Sequence, residues 1–210
     1  MSIAALHGVR VLELGEGVSA AFCAKLFADY GADVLKVEPP GCGDITRHWG
    51  PYPDDLPHLE KSGSHFCLNT NKQGITLDLH STRGQDLLKA LLQDTDVLIE
   101  NHRPAQMRTW GLDYATLAAL KPGLIMISIT PYGQSGPYAD WKGYDLNAFH
   151  LTGAGSRYCG RMGEAPLEQG TQAADYFGAY VAATWGLAAV FGNDQGGGEH
   201  IDVSCAEAVA

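Results

Sequence analysis

The run Gly15-Glu16-Gly17-Val18-Ser19-Ala20 matches the pattern G-x-G-x-x-G/A. An apolar segment precedes it, a helix-like segment follows, and a second apolar segment ends at Glu38, about 20 residues on. In a dinucleotide site the glycines let a pyrophosphate approach free backbone N–H groups at a helix N-terminus, and the acid holds a ribose hydroxyl. Read alone, the run points to NAD or S-adenosylmethionine. The competing reading is a tight turn, with Glu38 in a loop ion pair. A second chemical candidate is Asp175, which opens the most clearly helical segment. By itself it reads as an N-cap, with its carboxylate stabilised as the anion by the helix's positive end.

The chain around the fingerprint weakens the dinucleotide reading. A dinucleotide-binding unit continues promptly into its next helix. Here the residues from Pro39 to about Gly63 are rich in Pro, Gly, Asp and His, as in a long irregular loop. No hydride-transfer constellation follows, which makes the fingerprint a coincidence of strand–turn–helix geometry.

Spacing supplies the remaining elements. Strands are expected at residues 9–14, 34–38, 75–79, 97–100, 124–129 and 200–204. Helices are expected at 19–30, 82–93, 145–152 and 175–193, with two short ones before and after Gly111-Leu112-Asp113-Tyr114. Strands alternating with helices imply an α/β domain with a mainly parallel sheet. The run ending at Ala210 reads as the start of a further helix, so the chain looks cut there.

Composition sets the outer limits. The 210 residues carry a formal net charge of −10, with 45% apolar and 18% charged residues. Such a chain builds a real core, and its acidity argues against nucleic acid or an anionic membrane as partner. Residues 1–7 lack a secretory signal pattern, and the apolar stretch 178–192 is short for a membrane span. Five scattered cysteines without a CxxC pair favour neither disulfides nor a metal, which points to a reducing cytoplasm.

Several segments, in order, resemble the family III CoA-transferases, the group that includes carnitine and formyl-CoA:oxalate CoA-transferases. They are "GVRVLELG", "LFADYGADVLKVEPPGCGDITRHWGP", "LNTNKQGITLDL", "DVLIENHRP", "PYGQSGPYAD", "GYD", "ADYFGAYVAATWGLAAV" and "GGGEHIDVS". The resemblance implies a Rossmann-like large domain over residues 1–204, with 205–210 leading to a small domain that this sequence lacks. It also implies transfer of CoA from an acyl-CoA to a small carboxylic acid, without a metal, in an interlocked homodimer when the chain is full length. Asp175, in "QGTQAADYFGAY", falls on the family's nucleophile. A carboxylate there attacks the thioester to give a mixed anhydride, and an enzyme–CoA thioester then carries CoA to the acceptor.

The resemblance further implies CoA contacts at Val18 and Ser19, at Leu77, Asp78, Leu79 and His80, at Asn101, His102 and Arg103, at Arg108, and at Lys142 and Tyr144. Arg103, Arg108 and Lys142 are the cations available for its phosphates, although each alone reads as a solvated surface charge. Departures from the pattern accompany these matches. Pro39 stands where some members have arginine, and Glu16 replaces a neutral or basic residue. The usual basic position after Pro104 falls on Thr109, with Arg108 one place earlier, a rotation of about 100° on a helix. α-Methylacyl-CoA racemases of the same family carry a histidine where this chain has Tyr144. Tyrosine is a poor base at neutral pH, so transfer is favoured over racemisation. The other readings are a noncatalytic CoA-binding fragment that needs a partner chain, and an NAD- or S-adenosylmethionine-dependent enzyme.

Overall fold

The computed structural model describes residues 4–161, 163–165, 167–192 and 196–210. Six parallel strands form one sheet in the order β3-β2-β1-β4-β5-β6. They are β1 (Arg10–Glu13), β2 (Asp33–Glu38), β3 (Gln73–Thr76), β4 (Val97–Glu100), β5 (Ile125–Thr130) and β6 (Glu199–Ser204). Between them lie α1 (Ser19–Asp29), α2 (Gly63–Asn69), α3 (Thr82–Leu92), α4 (Pro104–Trp110), α5 (Tyr114–Leu120), α6 (Asp145–Leu151), α7 (Ala154–Tyr158) and α8 (Ala173–Gly192). The short α9 (Cys205–Ala208) follows β6. This is the doubly wound α/β arrangement, whose strand order reverses between β1 and β4.

Strand alternation divides the core. Val11, Val97, Ile99, Ile125, Ile127 and Ile129 face a layer holding α1 and α8. Leu12, Leu14, Leu98, Leu124 and Met126 face the opposite layer, with Leu88 and Leu92 of α3, Met107 and Trp110 of α4, and Leu117 of α5. Burial on both faces explains why the strands read as continuous apolar runs.

Four expectations change. The segment after Pro39 is more ordered than a loop. Asp44 caps a 3-10 turn at Ile45–His48, and Ser62 caps α2, which its seven residues were too few to announce by periodicity. The strand expected at 75–79 lies at Gln73–Thr76. Leu77 makes one further bond, its N–H donating to Glu38 O at 3.1 Å, before the chain turns at Asp78 through Ser81. Leu77, Asp78, Leu79 and His80 therefore occupy the turn after β3. The five-residue α7 was not anticipated. Finally, α8 begins at Ala173, two residues before Asp175, and the expected last residue of that helix, Asn193, lies outside the described residues.

Candidate active site

A shallow crevice lies at the carboxyl end of the sheet, beside the reversal of strand order, where open α/β sheets bind ligands. Leu14, Gly15 and Glu16 after β1, Pro39 after β2, Leu77 to His80 after β3, and His102 after β4 line it, with Trp110 of α4. Five of the expected contacts, Leu77, Asp78, Leu79, His80 and His102, thus meet in one place. The lining is largely apolar and aromatic. His80 and His102 each meet Trp110 in a T-shaped contact, with ring centroids 5.6 and 5.0 Å away. Burial pulls His102 down to about 4, so at neutral pH it is an uncharged ring. Trp110 was not among the anticipated residues, since an isolated Trp at a helix end carries no sequence signal of its role.

The glycine run does not form an open anion cradle. Glu16 N–H donates to Asn101 Oδ1 at 3.0 Å, and Gly17 N–H makes a long contact of 3.4 Å to Asp44 Oδ1. Asn101 Nδ2 returns hydrogen bonds to Glu16 O at 2.6 Å and Ser19 Oγ at 3.0 Å. A Cβ at Gly15 would collide with Ala20 and Asn101, so close approach accounts for that glycine. Glu38 is bound by Arg47 through Nε and Nη2 at 2.7 and 2.8 Å, which occupies the acid a ribose would need. The ion-pair reading of Glu38 therefore holds, and both ends of the apparent dinucleotide motif have internal partners. Val18 and Ser19, the expected contacts in this turn, are buried.

Beneath this turn lies a sealed charge network. Lys36 Nζ stands 2.5 Å from Glu13 Oε1, 2.8 Å from Asp44 Oδ2 and 3.2 Å from Gly15 O. Lys72 Nζ binds the other oxygen of Glu13 at 2.7 Å. Burial alone would neutralise Lys36 and Glu13. For Lys36 the two facing carboxylates outweigh it, and for Glu13 the two ammonium groups do, so both stay ionised.

The basic residues gather elsewhere on the same surface. Arg108 Nη2 grips both oxygens of Asp140 at 2.9 and 2.8 Å, and Arg103 Nη1 reaches Asp140 O at 3.5 Å. Lys142 follows two residues on and is exposed, as is Tyr144. Of these cations only Arg108 is paired with the Asp140 carboxylate, while Arg103 reaches its backbone carbonyl. Thr109 turns back onto its own helix, its hydroxyl donating to Ala105 O at 2.8 Å. Arg108 is thus the residue of that pair that reaches the cluster.

Asp175 sits in the first turn of α8. The N-cap expectation fails, because α8 begins at Ala173 and makes Asp175 its third residue; its N–H donates to Asp145 Oδ1 at 3.0 Å. Asp145, from the "GYD" segment, reaches across from the start of α6. The helix end does not keep the Asp175 carboxyl at its ordinary acidity either. Burial, then the nearby Asp145 charge, push it up to about 7. Cys205 Sγ lies 3.8 Å from Asp175 Oδ1. Phe22 of α1 packs edge-on against Tyr176 at 4.8 Å and Tyr180 at 5.0 Å, which sets the starts of α1 and α8 side by side. Asp175 consequently lies at the same end of the sheet as the Gly15–Ser19 turn. A groove of about 280 Å³ at this end is lined by Val18, Trp49, Cys67, Gln172 and Tyr176, among others, and Asp175 is not part of its lining. Among the described residues, no three His, Cys, Asp or Glu side chains cluster as a metal site would require. No described helix is long and apolar enough to cross a membrane.

The model of CoA-transferase family III matches residues 6–210. The chain belongs to that family. It is 39% identical over 207 residues to succinyl-CoA–D-citramalate CoA-transferase of Chloroflexus aurantiacus, covering 97% of this chain and 50% of that protein. Succinate–glutarate CoA-transferase of Agrobacterium fabrum is 37% identical over 202 residues, again across 50% of its length. A CAIB/BAIF family protein from Brucella suis superposes with a TM-score of 0.88 at 32% identity, covering 98% of this chain and 54% of that one. The family III chain thus spans about half the length of the curated relatives it matches.

Proposed function

We propose that the chain carries the nucleophile and the CoA-binding face of a transferase that moves CoA from an acyl-CoA to a carboxylic acid. The observation that carries this reading is Asp175, a carboxylate held in the first turn of α8 next in sequence to the groove-lining Tyr176, with acidity tuned near neutrality. Once ionised, it attacks the thioester carbonyl, and CoA leaves as thiolate. The thiolate attacks the aspartyl carbonyl, forming the enzyme thioester and releasing the donor acid. The acceptor carboxylate then attacks that thioester, and returning CoA thiolate takes the acyl group, regenerating Asp175. Charge and protons balance over the cycle.

In this assignment the Trp110 crevice takes the flat adenine ring, while Arg103, Arg108 and Lys142 meet the phosphates. The groove beside Tyr176 takes the acyl end. Val18, Ser19 and Tyr144 flank the path, and Asn101 acts by holding the turn. Relatives named for succinyl-CoA or succinate make a dicarboxylic acyl-CoA the donor to try first. In a full-length protein, the second half and a second copy would close the site, and the free cysteines fit a cytoplasmic setting.

The test is to incubate the chain with succinyl-CoA, trap with hydroxylamine or borohydride, and locate the adduct by peptide mass spectrometry. Modification of Asp175, lost in Asp175→Ala, is the expected outcome. Efficient CoA exchange by Asp175→Ala would refute it. The half-length match also favours a second reading, a CoA-binding portion that needs another polypeptide. CoA binding by calorimetry without any adduct would select it.

A further inference from the structure

Strand β6 delivers α9 directly against the start of α8. Ser204 caps α9, its Oγ accepting from Glu207 N at 3.3 Å, and this fixes Cys205 as the first helical residue. Cys205 is 1% exposed. Its sulfur comes so near because the residue one turn beyond Asp175 is Gly178. A Cβ at that position would stand 2.7 Å from Cys205 Sγ. Asp175 and Gly178 share one face of the helix, so the same missing side chain that admits the sulfur directs it to the carboxylate.

The other groups around Asp175 do not hold its carboxylate in place. Asp145 on α6 accepts the Asp175 backbone N–H and adds only a like charge, itself influenced by Glu168 and His150. Among the described residues, Cys205 is the only one whose side chain hydrogen-bonds the Asp175 carboxylate. Burial and the facing carboxylates keep the thiol protonated, so it remains a donor.

We propose that Cys205 is a positioning residue for Asp175: its thiol donates to Oδ1, fixes the rotation of the carboxylate, and leaves Oδ2 as the attacking oxygen. The inference rests on Asp175 being the nucleophile. A thiol is a weak donor, and the 3.8 Å contact is long. It therefore orients the carboxylate while withdrawing little of its electron density. Contacts of this kind shorten in the reacting complex.

Infrared difference spectroscopy of the intact chain reads the contact without turnover. Loss of a band in Cys205→Ala identifies the Cys205 S–H stretch. In the wild-type chain that band moves to lower frequency as pH rises through about 7 and Asp175 ionises. In Asp175→Asn the movement disappears. A band that ignores both pH and Asp175→Asn overturns the inference. In the trapping assay, Cys205→Ala slows adduct formation about threefold, toward the low end of what one hydrogen bond contributes. Cys205→Ser restores most of the rate, with CoA affinity unchanged in both. An unchanged rate in Cys205→Ala, with the wild-type adduct present, sinks the Cys205 inference and leaves the proposed function standing. A wild-type chain that forms no adduct at Asp175 sinks both.

Discussion

Replacing Asp175 by Asn should stabilise the folded chain while abolishing the covalent adduct. The folded structure moves the carboxyl from an ordinary 3.8 to about 7. A raised acid pKa means that the folded state holds the proton more tightly than the unfolded chain does. The associated stability is complete below about pH 4 and is lost progressively as pH rises to about 7, because the ionised carboxylate is buried beside Asp145. Asn stays neutral and escapes that loss. A shift of roughly three units corresponds to at most about 4 kcal/mol, at 1.36 kcal/mol per unit. Asp175 retains some solvent contact, which screens the field, so about half of that, roughly 2 kcal/mol, is expected at about pH 8. With a urea slope of about 2 kcal/mol/M, the unfolding midpoint of Asp175→Asn should rise by about 1 M at about pH 8. It should approach the wild-type midpoint near pH 4. Equal midpoints at both pH values, or a less stable variant at about pH 8, would refute the electrostatic account of this site.

Two further substitutions probe the scaffold beneath the site. Lys36→Met leaves Asp44 Oδ2 without its counter-ion and removes one of two from Glu13, so a loss of about 3–5 kcal/mol in urea unfolding is expected; a loss below about 1 kcal/mol would contradict the buried network. Gly84→Ala places a methyl group against the backbone carbonyl of Asp78, in the turn that carries His80 to the crevice. It should cost about 1–3 kcal/mol and weaken CoA binding in calorimetry, and unchanged stability and affinity would show that the turn yields freely.

Much of the fold was legible because burial on both faces writes itself into composition. Strands such as Val97–Glu100 and Ile125–Thr130 are apolar almost throughout, and no other placement shields them from water. Short elements were harder to read. Seven residues of α2 and five of α7 contain too few turns for periodicity, and local caps with tertiary contacts decide them. The β3 boundary was misplaced for a related reason. Ile75 and Leu77 alternate toward the core, yet alternation continues into a turn whenever the chain still covers apolar surface.

The site divides in the same way. The family resemblance, and not residue type alone, singled out Asp175, the Leu77–His80 run, His102 and the basic residues as candidates, since by itself Asp175 reads as a helix cap and each cation as a solvated surface charge. The environment of those residues was not readable. Asp175 looked like an ionised helix cap, and only the packing of α6 and α9 against α8 brings Asp145 and Cys205 to it. The glycine run looked open to phosphate, and only the tertiary structure places Asn101 and Asp44, distant in sequence, on its N–H groups. By itself the sequence determined the α/β class and the buried strands and nominated the candidate side chains, since hydrophobic period and side-chain chemistry are local properties. Acidity, donor occupancy and the neighbours of Asp175 depend on burial and on separations of a few ångströms between distant residues, which come into being only when the chain folds.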